Sequence, residues 1–238
     1  MSLRIVLLTT DTSHHRYFVK HLAGNRRLSG IFVEPPSAQA PFPTAHPFEK
    51  ERDEYERSVL LAGDPAAFED YGPVVTVESW RSAASCKTLA GFEPDILISF
   101  GSSRLPEEVL QTPRLVALNL HGGNPEYYRG LDSHLWAIYH RDFSNLITTL
   151  HLLDADLDTG PIVFQQSLPL QRNMPIHQLR AVNTKVCVQL CALALQVLEA
   201  RQPLPTRPQL IRGRYYSAMP AALKDICVAK FSSHVAQL

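Results

Sequence analysis

Residues 94–100, Pro-Asp-Ile-Leu-Ile-Ser-Phe, are apolar on nearly every position, and a strand of that kind is expected only where both faces of its sheet are covered. Helices on both sides of a parallel sheet meet that demand. Shorter β-rich runs at residues 4–9, 28–34, 74–77 and 116–121 repeat the theme, and helical spacing separates them: Tyr17, Phe18 and Leu22 form one apolar face, and residues 79–90 form another helix. A further helix is expected at 133–140. Residues 148–153 and 162–168 then follow each other across a polar turn and read as antiparallel or edge strands. Residues 175–201 carry Leu, Val and Ala at helical spacing and form the longest predicted helix.

The fold expected is therefore α/β: a Rossmann-like open, mostly parallel sheet flanked by helices, with an antiparallel edge and a short C-terminal extension. A length of 238 residues fits one domain, with residues 1–200 as the catalytic unit and the Pro- and Arg-rich residues 201–238 as an extension packed on it. Residues 35–47 are too rich in proline for helix or sheet and are read as a surface loop. Residues 48–61 are highly charged and are read as an exposed helix, a lid or a homodimer contact.

Composition narrows the partners. Lys plus Arg and Asp plus Glu both number 23, so no whole-molecule field gathers polyanions, and no tRNA or other nucleic acid is expected. The first apolar run is too short for a signal-peptide core, and no later window reads as about 18 apolar residues, so no membrane partner is expected and the protein is read as cytoplasmic. The four cysteines form no CxxC pair, and Cys187 and Cys191 fall four apart in an apolar helix, where packed thiols are expected.

In open α/β sheets ligands sit beyond the carboxyl ends of the strands, which selects four segments. Asn119 and His121 lie two apart at a strand end, so their side chains share a face. The amide can bond an oxygen that turns negative and the imidazole can take a proton, although an Asn–His pair can also cap a strand. Asp154, Asp156 and Asp158 alternate before Thr159-Gly160. A calcium loop would need Gly where Thr159 stands and Glu where Gln165 stands, so no metal is expected. A carboxylate beside an imidazole fixes its tautomer and favours its charged form, and Asn, His and Asp together suggest attack at a carbonyl. With no Gly-x-Ser-x-Gly elbow and no well-placed Cys, direct transfer through a tetrahedral intermediate fits better than a covalent enzyme intermediate. Thr10, His15 and Arg16, at the end of the first strand, could bind a phosphate; a helix N-cap with surface histidines explains the same residues.

The Asn-x-His, Pro-x-x-x-Arg-Gly and Asp-Thr-Gly elements, in this order and spacing, resemble the formyltetrahydrofolate-dependent formyltransferases from about residue 4 to 198. The resemblance implies that Asn119 holds a formyl oxygen, His121 assists charge and proton transfer, and Asp158 orients His121 or a water. It implies that Phe100, Gly101, Ser102, Ser103, Arg104 and Leu105, with Asp154, Ala155 and Asp156, hold N10-formyltetrahydrofolate. His151 matches a second histidine of the family that lies near the site. Gly122-Gly123-Asn124-Pro125 departs from the usual Ser-Leu-Leu-Pro, while the Arg-Gly and Trp-x-Ile pattern from Arg129 to Ile138 most resembles the amino-sugar branch. The expected reaction is formylation of a primary amine of a small molecule, with a nucleotide-linked amino sugar as acceptor and Gly122, Gly123, Tyr127, Tyr128, Arg129 and Trp136 around it. Formylation of another small amine, hydrolysis of the folate and an inactive folate-binding scaffold are the alternatives. Neither the N-terminal regulatory domain usual in the hydrolases nor the tRNA-binding domain of the methionyl-tRNA enzymes is expected.

Overall fold

The computed structural model describes residues 3–24, 26–35 and 40–238. Five strands come first: β1 (Ile5–Thr10), β2 (Gly30–Glu34), β3 (Val74–Thr76), β4 (Ile96–Phe100) and β5 (Val116–His121). They pair in parallel in the order β3-β2-β1-β4-β5. Every residue of β1 and β4 is buried, because helices lie on both faces, as the unbroken apolar run at 94–100 requires. β6 (Tyr128–Gly130) lies outside this sheet, while β7 (Ile147–Leu152) joins antiparallel to β5 and β8 (Ile162–Ser167) antiparallel to β7, completing a seven-stranded sheet.

Helices α1 (Ser13–Ala23), α2 (Pro47–Tyr55), α3 (Ala83–Gly91), α4 (Glu107–Leu110) and α5 (Ser133–Tyr139) fill the connections, and α6 (Leu179–Glu199) packs against α1, β7 and β8. Cys187 and Cys191 are fully buried on α6, as its apolar spacing predicts. Two expectations need correction here. The stretch Ile176–Glu199 is long and apolar enough to cross a membrane, contrary to the reading of the sequence, although half of its most apolar window is buried inside the molecule. Residues 48–61 are not simply an exposed helix. A capping box between His46 and Glu49 starts α2, Phe48 is buried, and the π-helical turn Glu56–Leu60 puts the fully buried Glu56 against Arg180 of α6 at 2.6 Å. Of the loop read at 35–47, residues 36–39 lie outside the described residues.

The chain after α6 is more ordered than its composition suggests. β9 (Arg214–Tyr216) pairs in parallel with β6, and α7 (Ala221–Val235) packs on α5.

Candidate active site

The carboxyl ends of β1, β4 and β5 open onto a cavity of about 460 Å³, where the strand order turns from β2-β1 to β4-β5. Open α/β sheets hold their ligands at that kind of position.

Asn119 and His121 project from one face of β5 into this cavity, and antiparallel pairing sets His151 of β7 opposite Asn119. The Asn119 amide Nδ2 lies 3.0 Å from His151 Nε2 and 3.3 Å from Asp158 Oδ1. A carbonyl only accepts, so the 2.7 Å contact from His151 Nδ1 to the Leu152 carbonyl puts a proton on Nδ1. His151 Nε2 lies between the Asn119 amide and Asp158 Oδ1, the latter at 3.5 Å. By the same reasoning His121 Nε2 donates to the Tyr128 carbonyl at 2.7 Å, and its Nδ1 faces Asp158 Oδ2 at 3.5 Å. The Gly130 amide donates to that same oxygen at 2.8 Å. Burial raises the pKa of the Asp158 carboxyl, but His121, His151 and the Gly130 N–H together outweigh it and hold the group well below the usual carboxylate range. A buried anion thus stands ready for a proton arriving at His121 Nδ1.

The loop after β4 forms the neighbouring wall. Gly101 has a φ of +84°, and a Cβ there would stand 2.4 Å from His15 Nε2, so glycine alone fits. Phe100 packs edge-on against the His15 ring, and the buried Glu34 carboxylate accepts from the Ser103 amide at 2.8 Å and its hydroxyl at 2.7 Å. Arg104 donates to the Ala155 carbonyl, joining this loop to the aspartate loop, where Asp154 and Asp156 also face the cavity. Leu105 lines the cavity as well. The Ser102 hydroxyl is buried there without a hydrogen-bond partner among the described residues.

The acceptor residues read from the sequence separate into two groups. Gly122 and His15 line the cavity. Tyr127, Tyr128, Arg129, Trp136, Gly123, Thr10 and Arg16 lie outside its lining. Tyr128 is buried and bonds Asp142; Trp136 donates to the Ser217 carbonyl and stacks on Tyr216. Arg129 reaches the carbonyls of Gly213 and Leu157. A Cβ on Gly123 would meet His121 and Ser133 at 2.7 Å, so this residue keeps the backbone close to the site. Arg16 is paired with Asp11 at 2.6 Å, and the Thr10 hydroxyl lies 3.0 Å from His15 Nδ1. His14 and His15 are buried rather than on the surface, and burial pushes His15 down to about 3, so it stays neutral.

Several residues that line or brace the cavity escaped the sequence reading. Glu34 closes a strand just before a proline and was visible to the strand-end rule. His134 on α5 donates to the Ile147 carbonyl, and burial pushes it down to about 4. Asn183 and Arg180 on α6 sit three apart and carried no motif; only packing turns them toward the cavity.

The formyl transferase family profile matches residues 44–189, more than half of the chain. The chain belongs to the formyl transferase family. Among relatives, a methionyl-tRNA formyltransferase of Thermosynechococcus vestitus is 32% identical over 117 residues, covering 48% of this chain and 33% of that protein, so the chain spans only about a third of this relative's length. The sugar 3N-formyl transferase WlaRD, solved in the presence of dTDP and 5-N-formyl-THF, superposes with a TM-score of 0.59 at 15% identity over 91% of this chain and 70% of that one. HypX from Aquifex aeolicus gives 0.58 at 18% identity, over 94% and 31%. These superpositions show the shared formyl transferase fold. The sequence relatives overturn one expectation: tRNA cannot be set aside on net charge, because methionyl-tRNA formyltransferases are what this chain matches in sequence. A balanced total leaves a local basic surface free to meet a polyanion.

Proposed function

We propose that this formyl transferase family member moves a formyl group from N10-formyltetrahydrofolate to a primary amine, with a nucleotide-linked amino sugar as acceptor. The observation that carries the reading is that Asp158 lies within 3.5 Å of both Asn119 and His121 at a strand end that opens onto the cavity. The cavity fits the folate: the unpartnered Ser102 hydroxyl and the backbone of the Gly101 turn suit a flat ring system edged with donors and acceptors. Phe100, Ser103 and Leu105, with Asp154 and Ala155, would complete the cradle. The bound folate supplies the activated formyl group. Asn119 turns its longer amide contact, the 3.3 Å one to Asp158, toward the formyl oxygen as negative charge develops there. As the amine nitrogen bonds the formyl carbon, His121 takes its proton at Nδ1 and Asp158 stabilises the resulting imidazolium; that proton would pass to the folate N10 as the formyl C–N10 bond breaks. Asp158 stays ionised throughout.

The sugar acceptor is supported by the Arg129-Gly130 and Trp136-x-Ile138 pattern and by the solved sugar formyltransferases of the same fold. A second reading, with methionyl-tRNA as acceptor, is supported by the sequence relatives. A discontinuous assay with formyltetrahydrofolate, nucleotide-linked amino sugars, simple amines and methionyl-tRNA separates them. Formylated sugar that disappears in His121→Ala and Asp158→Ala supports the first reading, formylated methionyl-tRNA the second. Absence of folate binding removes both.

A further inference from the structure

Asp158 has a φ of +55°, in the left-handed region, which Asp visits more readily than most L-residues but which still costs free energy relative to the extended and right-handed regions. The aspartate loop makes no strand or helix of its own between Leu152 and Ile162, so single contacts hold it. Besides Arg129 and Gly130, residues about fifty positions further along the chain reach it. The Gln209 side-chain amide donates to the Asp158 carbonyl and to the Gly160 carbonyl, both at 2.9 Å, bridging the backbone on either side of Thr159.

Gln209 is itself anchored on both flanks. Arg207 exchanges backbone hydrogen bonds with Ile162 of β8 at 2.8 and 2.9 Å, and its guanidinium meets the buried Glu126 carboxylate at 2.8 Å, while the Leu210 amide donates to Glu126 at 2.6 Å. Downstream, β9 pairs with β6, whose Gly130 amide holds the Asp158 carboxylate. The strap from Arg207 to Tyr216 therefore reaches the same aspartate twice, at its backbone through Gln209 and at its carboxylate through the β6–β9 pair.

We propose that Gln209 is a positioning residue for the transfer reaction: its amide locks the Asp158 backbone so that the carboxylate meets His121 Nδ1. This rests on the formyl transfer reading above. Gln209 lies outside the formyl transferase profile match at 44–189, so the strap supplies a part that the matched segment alone lacks.

The test compares wild type with Gln209→Ala and Gln209→Glu, the second of which replaces a bridging donor by a carboxylate facing two carbonyls. Misplacing a reacting group by about 1 Å costs on the order of 100-fold, so kcat should fall by roughly that factor in Gln209→Ala and further in Gln209→Glu, with KM for both substrates within about twofold. The acid limb of the kcat profile should move to lower pH, because the base at His121 Nδ1 holds a proton less tightly once the facing carboxylate is displaced. Independently of turnover, hydrogen exchange at the amides of residues 157–160 should accelerate in both variants while the sheet stays protected. Unchanged kcat, or an unchanged pH profile with a loss of kcat that tracks a general fall in Tm, would overturn the proposal. Should wild type formylate no acceptor, the function reading fails by itself, and exchange alone decides: unchanged protection at 157–160 sinks the positioning role, and local loss sustains it.

Discussion

The two halves of the site are built by different means. Asn119 and His121 stand on β5, a central strand whose neighbours β4 and β7 fix its pleat, so their convergence follows from the two-residue period of an extended chain. Asp158 stands on an irregular loop in a left-handed conformation, where Gly130 and Gln209 bond it directly and Arg129 bonds the neighbouring Leu157 carbonyl. The strand-borne half is set by local pattern and core burial. The loop-borne half is set by single hydrogen bonds to distant segments, and should be easier to disorder without unfolding the domain.

The sharpest break in the comparison is Asn119→Ala. Removing one donor to a developing oxyanion costs on the order of 10² to 10³ in kcat, and the sheet should keep its Tm within a few degrees because β5 is held by backbone pairing; single-turnover kinetics with thermal melts would check both. A loss of Tm as large as that of a core deletion would show that the strand-borne half is as fragile as the loop.

Next comes a variant that weakens the folate wall. Glu34→Ala removes the buried carboxylate that holds the Ser103 amide and hydroxyl and should weaken folate binding about tenfold, read by titration of folate fluorescence, since a hydrogen bond to a charged group contributes about 1.5–3 kcal/mol. Unaltered affinity would mean that the Gly101 turn holds its shape without Glu34.

Asp158→Asn sharpens the comparison through pH. The native carboxyl is held below the usual carboxylate range, so its contribution to stability is fully present above the unfolded value of about 3.9 and is lost as pH falls toward the depressed native value. The Tm gap between wild type and Asp158→Asn should therefore be constant from pH 7 down to about 4 and shrink below that. A gap that starts to close near neutrality would contradict the depressed carboxyl.

The smallest effect is expected for Arg212→Ala. Its ion pair with Asp156 is more than half exposed at both ends, and such pairs contribute under about 1 kcal/mol, so denaturant midpoints and kcat should hardly move. A large loss of kcat would move part of the loop's control from Gln209 to this pair.

Much of this was legible before any coordinates. The apolar run at 94–100, the alternation before it and the strand pair after it lead to the observed sheet, because burial of apolar side chains on both faces is a local property of the chain. The strand-end rule reached Asn119, His121 and the 100–105 loop, and the same rule applied to residue 34 reaches Glu34. Arg129 and Trp136 carried a recognisable pattern, yet their side chains brace the framework through Gly213, Leu157 and Ser217. A motif records that a residue matters to the fold or to the site and is silent on which.

By itself, then, the sequence determined the layered sheet and the strand-borne pair, since these depend on periodicity and on neighbours two to four residues away, while its separated motifs carried the resemblance to the family. Only the tertiary structure decided the tilt of Asp158, the burial of His14 and His15, and the reach of Gln209 across some fifty residues to a carbonyl. Those features depend on long-range closure of the chain, where a single hydrogen bond selects among loop conformations of similar local energy, and no spacing in the sequence encodes which partner will arrive.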